Sequence, residues 1–200
     1  MRKLATLLTA TITLGGLITS LSAPAYADTW SRPDQRGDVA KIIEGKGNVS
    51  LKSAPRNRTT DITRLTVRHN ADTVAFDVRV RDLTETITRS VVALIKTPEG
   101  LRVVFVESMS FSGVFKQSAL AGKRLGTCPR LRKELDYAAN VVRIVVPRRC
   151  LGNPDWVRVG LQMSTSSQSF RHLAYDQMFV GRLHRKDLER RPQLSRRIYR

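Results

Sequence analysis

The amino-acid sequence predicts an all-β protein: an antiparallel β-sandwich of about eight strands, with one disulfide and only short helical turns. Three observations carry that prediction. Apolar and polar residues alternate with a period of two far more often than they follow a helical spacing, turn-forming residues recur between the alternating runs, and no amphipathic segment is long enough to build a helical layer. The 200 residues are 41% hydrophobic and 26% charged, proportions of a globular chain rather than a disordered one.

The N-terminus is read first, because it changes the length of what folds. Arg2 and Lys3 precede an apolar stretch from Leu4 to Leu21 and then Ala25-Tyr26-Ala27. This is the pattern of a secretory signal peptide over residues 1–27, cleaved after Ala27. Gly15, Gly16 and several threonines weaken the alternative of a membrane anchor, and no longer apolar segment follows, so no membrane span is expected after cleavage. Removing 27 residues from 200, and the charges of Arg2 and Lys3 from +18, leaves 173 residues at +16. Within them, 28–181 is read as the sandwich domain and 182–200 as a flexible tail, the latter carrying eight Arg or Lys against Asp187 and Glu189.

The strands follow in order. Leu65, Val67 and His69 alternate with Arg64, Thr66 and Arg68. After the turn His69-Asn70-Ala71-Asp72, Val74, Phe76, Val78 and Val80 point one way and Asp77, Arg79 and Arg81 the other. Two such runs about one turn predict a β-hairpin with a wet face. Further strands are expected over Ser90–Thr97, over Leu101–Glu107 after Pro98-Glu99-Gly100, and over Ser110–Lys116. The first two are apolar on both faces, as central strands are. Val141–Val146, ended by Pro147, is another run, and Trp156–Met163 places Val157, Val159, Leu161 and Met163 on one face. Arg130–Ala139 and Pro147–Gly152 are read as short helical turns.

Cys128 and Cys150 are the only cysteines. In an exported chain an even count reads first as a disulfide, here closing a loop of about 22 residues and stabilising the fold by roughly 3 kcal/mol in the chain-entropy model. The rival reading, a metal or nucleophilic pair, lacks histidines nearby.

A specific part of the sequence carries a resemblance. Asp38-Val39, Asp61-Ile62, Arg68-His69, Arg81-Asp82-Leu83 and Leu135-Asp136-Tyr137 occur in order, and Val146-Pro147-Arg148-Arg149-Cys150-Leu151-Gly152-Asn153-Pro154-Asp155-Trp156-Val157-Arg158-Val159-Gly160 is the most distinctive segment. Over about residues 34 to 180 the chain resembles uncharacterised secreted proteins of high-GC Gram-positive bacteria. More distantly, it is similar to the β-sandwich superfamily of DOMON domains and family-nine carbohydrate-binding modules. The resemblance implies the fold, the Cys128–Cys150 bridge and export, and it narrows function only to binding.

No reaction is written in the motifs. There is no Gly-x-Ser-x-Gly elbow, no His-Glu-x-x-His, no Walker loop and no zinc cysteine set, so the expectation is a non-catalytic protein, with a hydrolase as a minor alternative. No cofactor is expected. Haem would require His69 with Met163 or Met178 as axial partners, whereas side chains of these types pack sandwich cores far more often. Calcium would require several of Asp61, Asp72, Asp77 and Asp82 around one ion, and pairing with neighbouring arginines is the simpler account.

Two functional readings remain, and the oligomeric state is open in both. One is a secreted module for carbohydrate or cell-envelope ligands, with Trp30 or Trp156 as a stacking platform unless they are core. The other is a polyanion-interacting surface protein, drawn to teichoic acid, nucleic acid or acidic lipid by its charge. Arg64, Arg68, Arg79 and Arg81, with Asp77 among them, form the candidate ligand face, because a guanidinium grips carboxylate or phosphate in a two-pronged way that lysine cannot copy. A merely solvated face in a chain with 26 Arg and 9 Lys is the competing account. Arg36-Gly37-Asp38, a cell-adhesion tripeptide, is read as chance.

Overall fold

A computed structural model of the chain describes residues 27–45, 48–85, 88–109, 115–121, 128–166, 172–178 and 193–200. The signal-peptide segment up to Tyr26, most of the strand expected at 110–116 and the first part of the basic tail lie outside these residues.

The chain steps back and forth between two antiparallel sheets. β1 (Asp28–Pro33) lies in the smaller sheet, and β2 (Ala40–Gly45) and β3 (Asn48–Ser53) lie in the larger. β4 (Ile62–His69) and β5 (Thr73–Val80) return to the smaller sheet, and β6 (Thr88–Thr97), β7 (Gly100–Met109) and β8 (Phe115–Ala121) to the larger. β9 (Arg132–Asp136) and β10 (Val141–Pro147) complete the smaller sheet. β11 (Trp156–Ser166), β12 (His172–Gln177) and β13 (Ile198–Tyr199) complete the larger. The smaller sheet runs β1-β4-β5-β10-β9, the larger β3-β2-β12-β11-β6-β7-β8, and β13 pairs with the start of β11.

The alternation that predicts the strands also builds the core. Leu65, Val67, Val74, Phe76, Val78, Val142, Ile144 and Val146 of the smaller sheet meet Val91, Ala93, Ile95, Val104, Val159, Leu161 and Met163 of the larger in one buried cluster. A bulge in β4 between Ile62 and Arg64 lets Ile62 and Leu65, three residues apart, both face inward. The expected hairpin forms, its turn fastened by Asn70, whose Oδ1 accepts from the backbone N–H of Asp72 and Thr73.

The sandwich is as expected, but among the described residues it holds five strands in one sheet and eight in the other rather than about eight in all. Two of the additional strands, β1 and β9, are polar. β1 reads Asp-Thr-Trp-Ser-Arg-Pro and β9 reads Arg-Lys-Glu-Leu-Asp, both at sheet edges, where neither face supplies an apolar row. Arg130–Ala139 therefore holds β9 and not a helical turn, whereas Arg148–Leu151 is a single 3₁₀ turn as read. A flexible tail over 182–200 is also corrected at its end. Ile198 is fully buried in the core cluster and Ser195 nearly so, with the Ser195 hydroxyl accepting from the Val159 N–H at 3.0 Å.

Candidate anion-binding face

The outward side of the smaller sheet is set by the same alternation. Arg64, Thr66 and Arg68 of β4 share it with Asp77 and Arg79 of β5, Arg143 of β10 and Glu134 of β9. The predicted arginine face therefore exists as one surface, but its middle is occupied. Arg68 donates to Asp77 Oδ2 at 2.7 Å and Arg143 to Asp77 Oδ1 at 3.0 Å, so both oxygens of this half-buried carboxylate are gripped. Arg143 also reaches Glu134 at 3.1 Å. The hydrogen bond and charge of Asp77 raise the Arg143 pKa above its ordinary value. Asp77 is the centre of a salt-bridge ladder, with no oxygen left for a ligand.

The remaining predicted arginines divide. Arg64 and Arg79 stand directly opposite each other across β4 and β5, two like charges side by side, and the Ser31 hydroxyl accepts from Arg64 at 3.2 Å. Arg81 turns away to the buried Asp61, 3.3 Å distant, and belongs to a different site.

At the other end of this sheet lies an open depression of about 620 Å³ whose lining includes Asp72, Thr73, Arg130, Arg132, Arg149 and Asn153. The three arginines are exposed, and among the described residues none has a carboxylate partner. Asp72 is the single acid in the lining. The sequence reading passed over all three arginines, although the signal was present. Arg130 stands two residues after Cys128 and Arg149 one before Cys150, so the disulfide, which is formed, brings them together.

Segments beside the depression are tied together by one side chain. Arg148 is 5% exposed, and its guanidinium donates to three backbone carbonyls: Ala71 at 2.6 Å, Asn153 at 2.8 Å and Pro154 at 3.1 Å. One buried side chain thus ties the β4–β5 turn to the loop entering β11, and both segments line the depression. The backbone turn beyond it, with Gly152 and Asn153 at positive φ, leaves the 3₁₀ helix at once and turns the chain toward β11.

The tryptophans do not offer a platform. Trp30 packs against the core cluster, and the guanidinium of Arg197 covers the Trp156 ring at 4.5 Å from its centroid. Among the described residues the exposed large hydrophobic side chains are Tyr137 and Tyr199. His69 is fully buried, and its Nδ1 lies 3.0 Å from the Ile198 carbonyl. Burial holds it below the usual histidine value, against the Ile198 carbonyl and with Arg148 adding repulsion. Met163 and Met178 are fully buried in the core cluster. Arg36-Gly37-Asp38 is not displayed as an adhesion loop, since Asp38 is 5% exposed.

Of the four aspartates considered for calcium, Asp72, Asp77 and Asp82 lie apart, Asp82 pairing with Arg58 at 3.8 Å. The residues whose oxygens do converge are Asp34, Asp38 and Asp176. Among the described residues no helix is long and apolar enough to cross a membrane. In comparisons with known proteins, no family model, no curated protein and no solved structure matches the chain.

Proposed function

We propose that this chain is a secreted, non-catalytic binding protein for an anionic polymer of the cell envelope, held across the outer face of the smaller sheet. The signal-peptide pattern and the disulfide support export. The observation that carries the binding reading is the trio Arg130, Arg132 and Arg149 around one depression, without carboxylate partners among the described residues. Exposed guanidinium groups held together repel one another, and a bound phosphate or carboxylate relieves that repulsion with paired, charge-assisted hydrogen bonds.

The spacing favours a polymer over a small anion. Thr73, at the depression, and Arg79, beside Arg64, are six residues apart on β5, which at about 3.3 Å per residue separates two cationic zones by roughly 20 Å. Between them lies the Asp77 ladder, already neutral. A chain carrying repeated phosphates or uronates meets charge at both ends and a hydrogen-bonding surface between. A stacking mode for neutral sugars has no support here, since Trp156 is already capped by Arg197.

The test is retention and affinity on poly(glycerol phosphate) over a salt series. Each lost phosphate contact lowers the slope of log K against log[salt] by about 0.7–0.9, so R130A/R132A/R149A should reduce it by about 2 to 3 and weaken binding at low salt. An unchanged slope, or equal retention on an uncharged polysaccharide, overturns the reading.

A further inference from the structure

Away from the arginine face, carboxylates gather where the chain crosses between the sheets. Asp34 follows β1, Asp38 precedes β2 and Asp176 lies in β12, and one oxygen from each falls within 4.8 Å of the other two. Asp176 is fully buried, its Oδ2 accepting from the Ile62 N–H at 2.7 Å and its Oδ1 from the Gln177 N–H at 2.8 Å. Asp38 is 5% exposed, and among the described residues neither of its oxygens has a hydrogen-bond partner. A fourth carboxylate, fully buried Asp61, adds to the charge: its Oδ2 accepts from the Gly37 N–H and Arg81, while Oδ1 has no partner.

Carboxylates are taken out of water only when something compensates them. Arg81 bonds Asp61, and among the described residues no cation bonds Asp38 or Asp176. We propose that Asp34, Asp38 and Asp176 bind one divalent cation of the calcium and magnesium kind, which fastens the β1–β2 crossover to β12.

The geometry suits one ion. Two oxygens each about 2.4 Å from a shared calcium can be at most about 4.8 Å apart, which is the limit the three meet. The donors are all oxygen, with no histidine or cysteine in the group, and such a set selects hard cations over zinc or copper. The backbone bonds to Asp176 fix its orientation, while both Asp38 oxygens stay available for coordination. In the metal-free chain, burial together with repulsion from neighbouring acids lifts Asp38 to about 7 and Asp176 to about 8. Placing Asp34 and Asp38 at the two ends of the crossover makes the ion a link between the sheets.

The experiment uses the purified full-length mature protein, stripped with EDTA and dialysed, then melted in a series of CaCl2, MgCl2 or MnCl2 at constant ionic strength. At about a hundredfold excess over Kd the midpoint should rise by roughly 5–10 °C, saturably, for at least one ion. Calorimetric titration with that ion should give one site per chain. D38N should abolish the rise while melting in EDTA no lower than the parent, because it removes an uncompensated charge. D77N, at the exposed ladder, should keep the full rise. Should D38N fail to fold, D34N provides the same comparison from the half-buried member. A midpoint indifferent to all three ions, or a full rise in D38N or D34N, overturns the proposal and leaves protons shared among the carboxylates as the compensation.

Discussion

Arg148 shows how much a single buried side chain can organise. Arg148→Met removes all three hydrogen bonds of this buried guanidinium and should lower stability by about 1–3 kcal/mol. Arg79→Ala, at an exposed position, should stay within about 0.5 kcal/mol. Chemical denaturation of the two variants checks the contrast. Titration is the other residue-scale consequence. His69 has its folded pKa below 6.5, so on acidification the unfolded chain takes up a proton that the folded one resists, and stability is lost as pH falls through about 6.5. Asp38 and Asp176 act oppositely. With folded values of about 7 and 8, above the ordinary carboxyl value near 4, they hold protons in the folded state that the unfolded chain has released, and stability is lost as pH rises from about 4 towards 8. Two carboxyls outweigh one imidazole. In EDTA the melting midpoint should therefore decline between about pH 5 and 8, and a saturating cation should abolish that decline by taking the place of the protons.

At the scale of elements, β13 is only two residues long yet closes the core. Removing Gln193–Arg200 exposes the site of Ile198 and deprives His69 of its carbonyl partner, so the truncated protein should lose about 3 kcal/mol or more in a urea titration. The sequence reading anticipates the opposite, and the reason is physical. A two-residue strand with one inward side chain has no period to detect, and the arginines around Ile198 dominate the composition. Strands with an apolar row, such as β5 and β11, were legible for the same reason that they fold: burial enforces the alternation. Edge strands β1 and β9 lack that row. The candidate sites divide along similar lines. The face with Arg64, Arg68 and Arg79 is visible within one hairpin, whereas Arg130 and Arg149 become neighbours only through the disulfide, and Asp38 meets Asp176 only through the pairing of β2 with β12.

For the whole molecule, the disulfide joins stability to the proposed binding. Cys128 is buried in the core cluster and Cys150 packs on it, so reduction should lower the unfolding free energy by roughly 3 kcal/mol. It should also weaken poly(glycerol phosphate) binding at low salt, because Arg130 and Arg149 lose their fixed separation. Affinity measured with and without reductant under native conditions checks the second effect. The two ends of the described chain add a consequence of a different kind. The Asp28 carboxylate accepts from Arg196 and from the Tyr199 N–H, a contact spanning 171 positions, and Ile198 fills the core beside residues made far earlier. A growing chain cannot make these contacts until β13 has been synthesised, so this closure forms only after β1 to β12 are available. Contacts of such long separation slow folding.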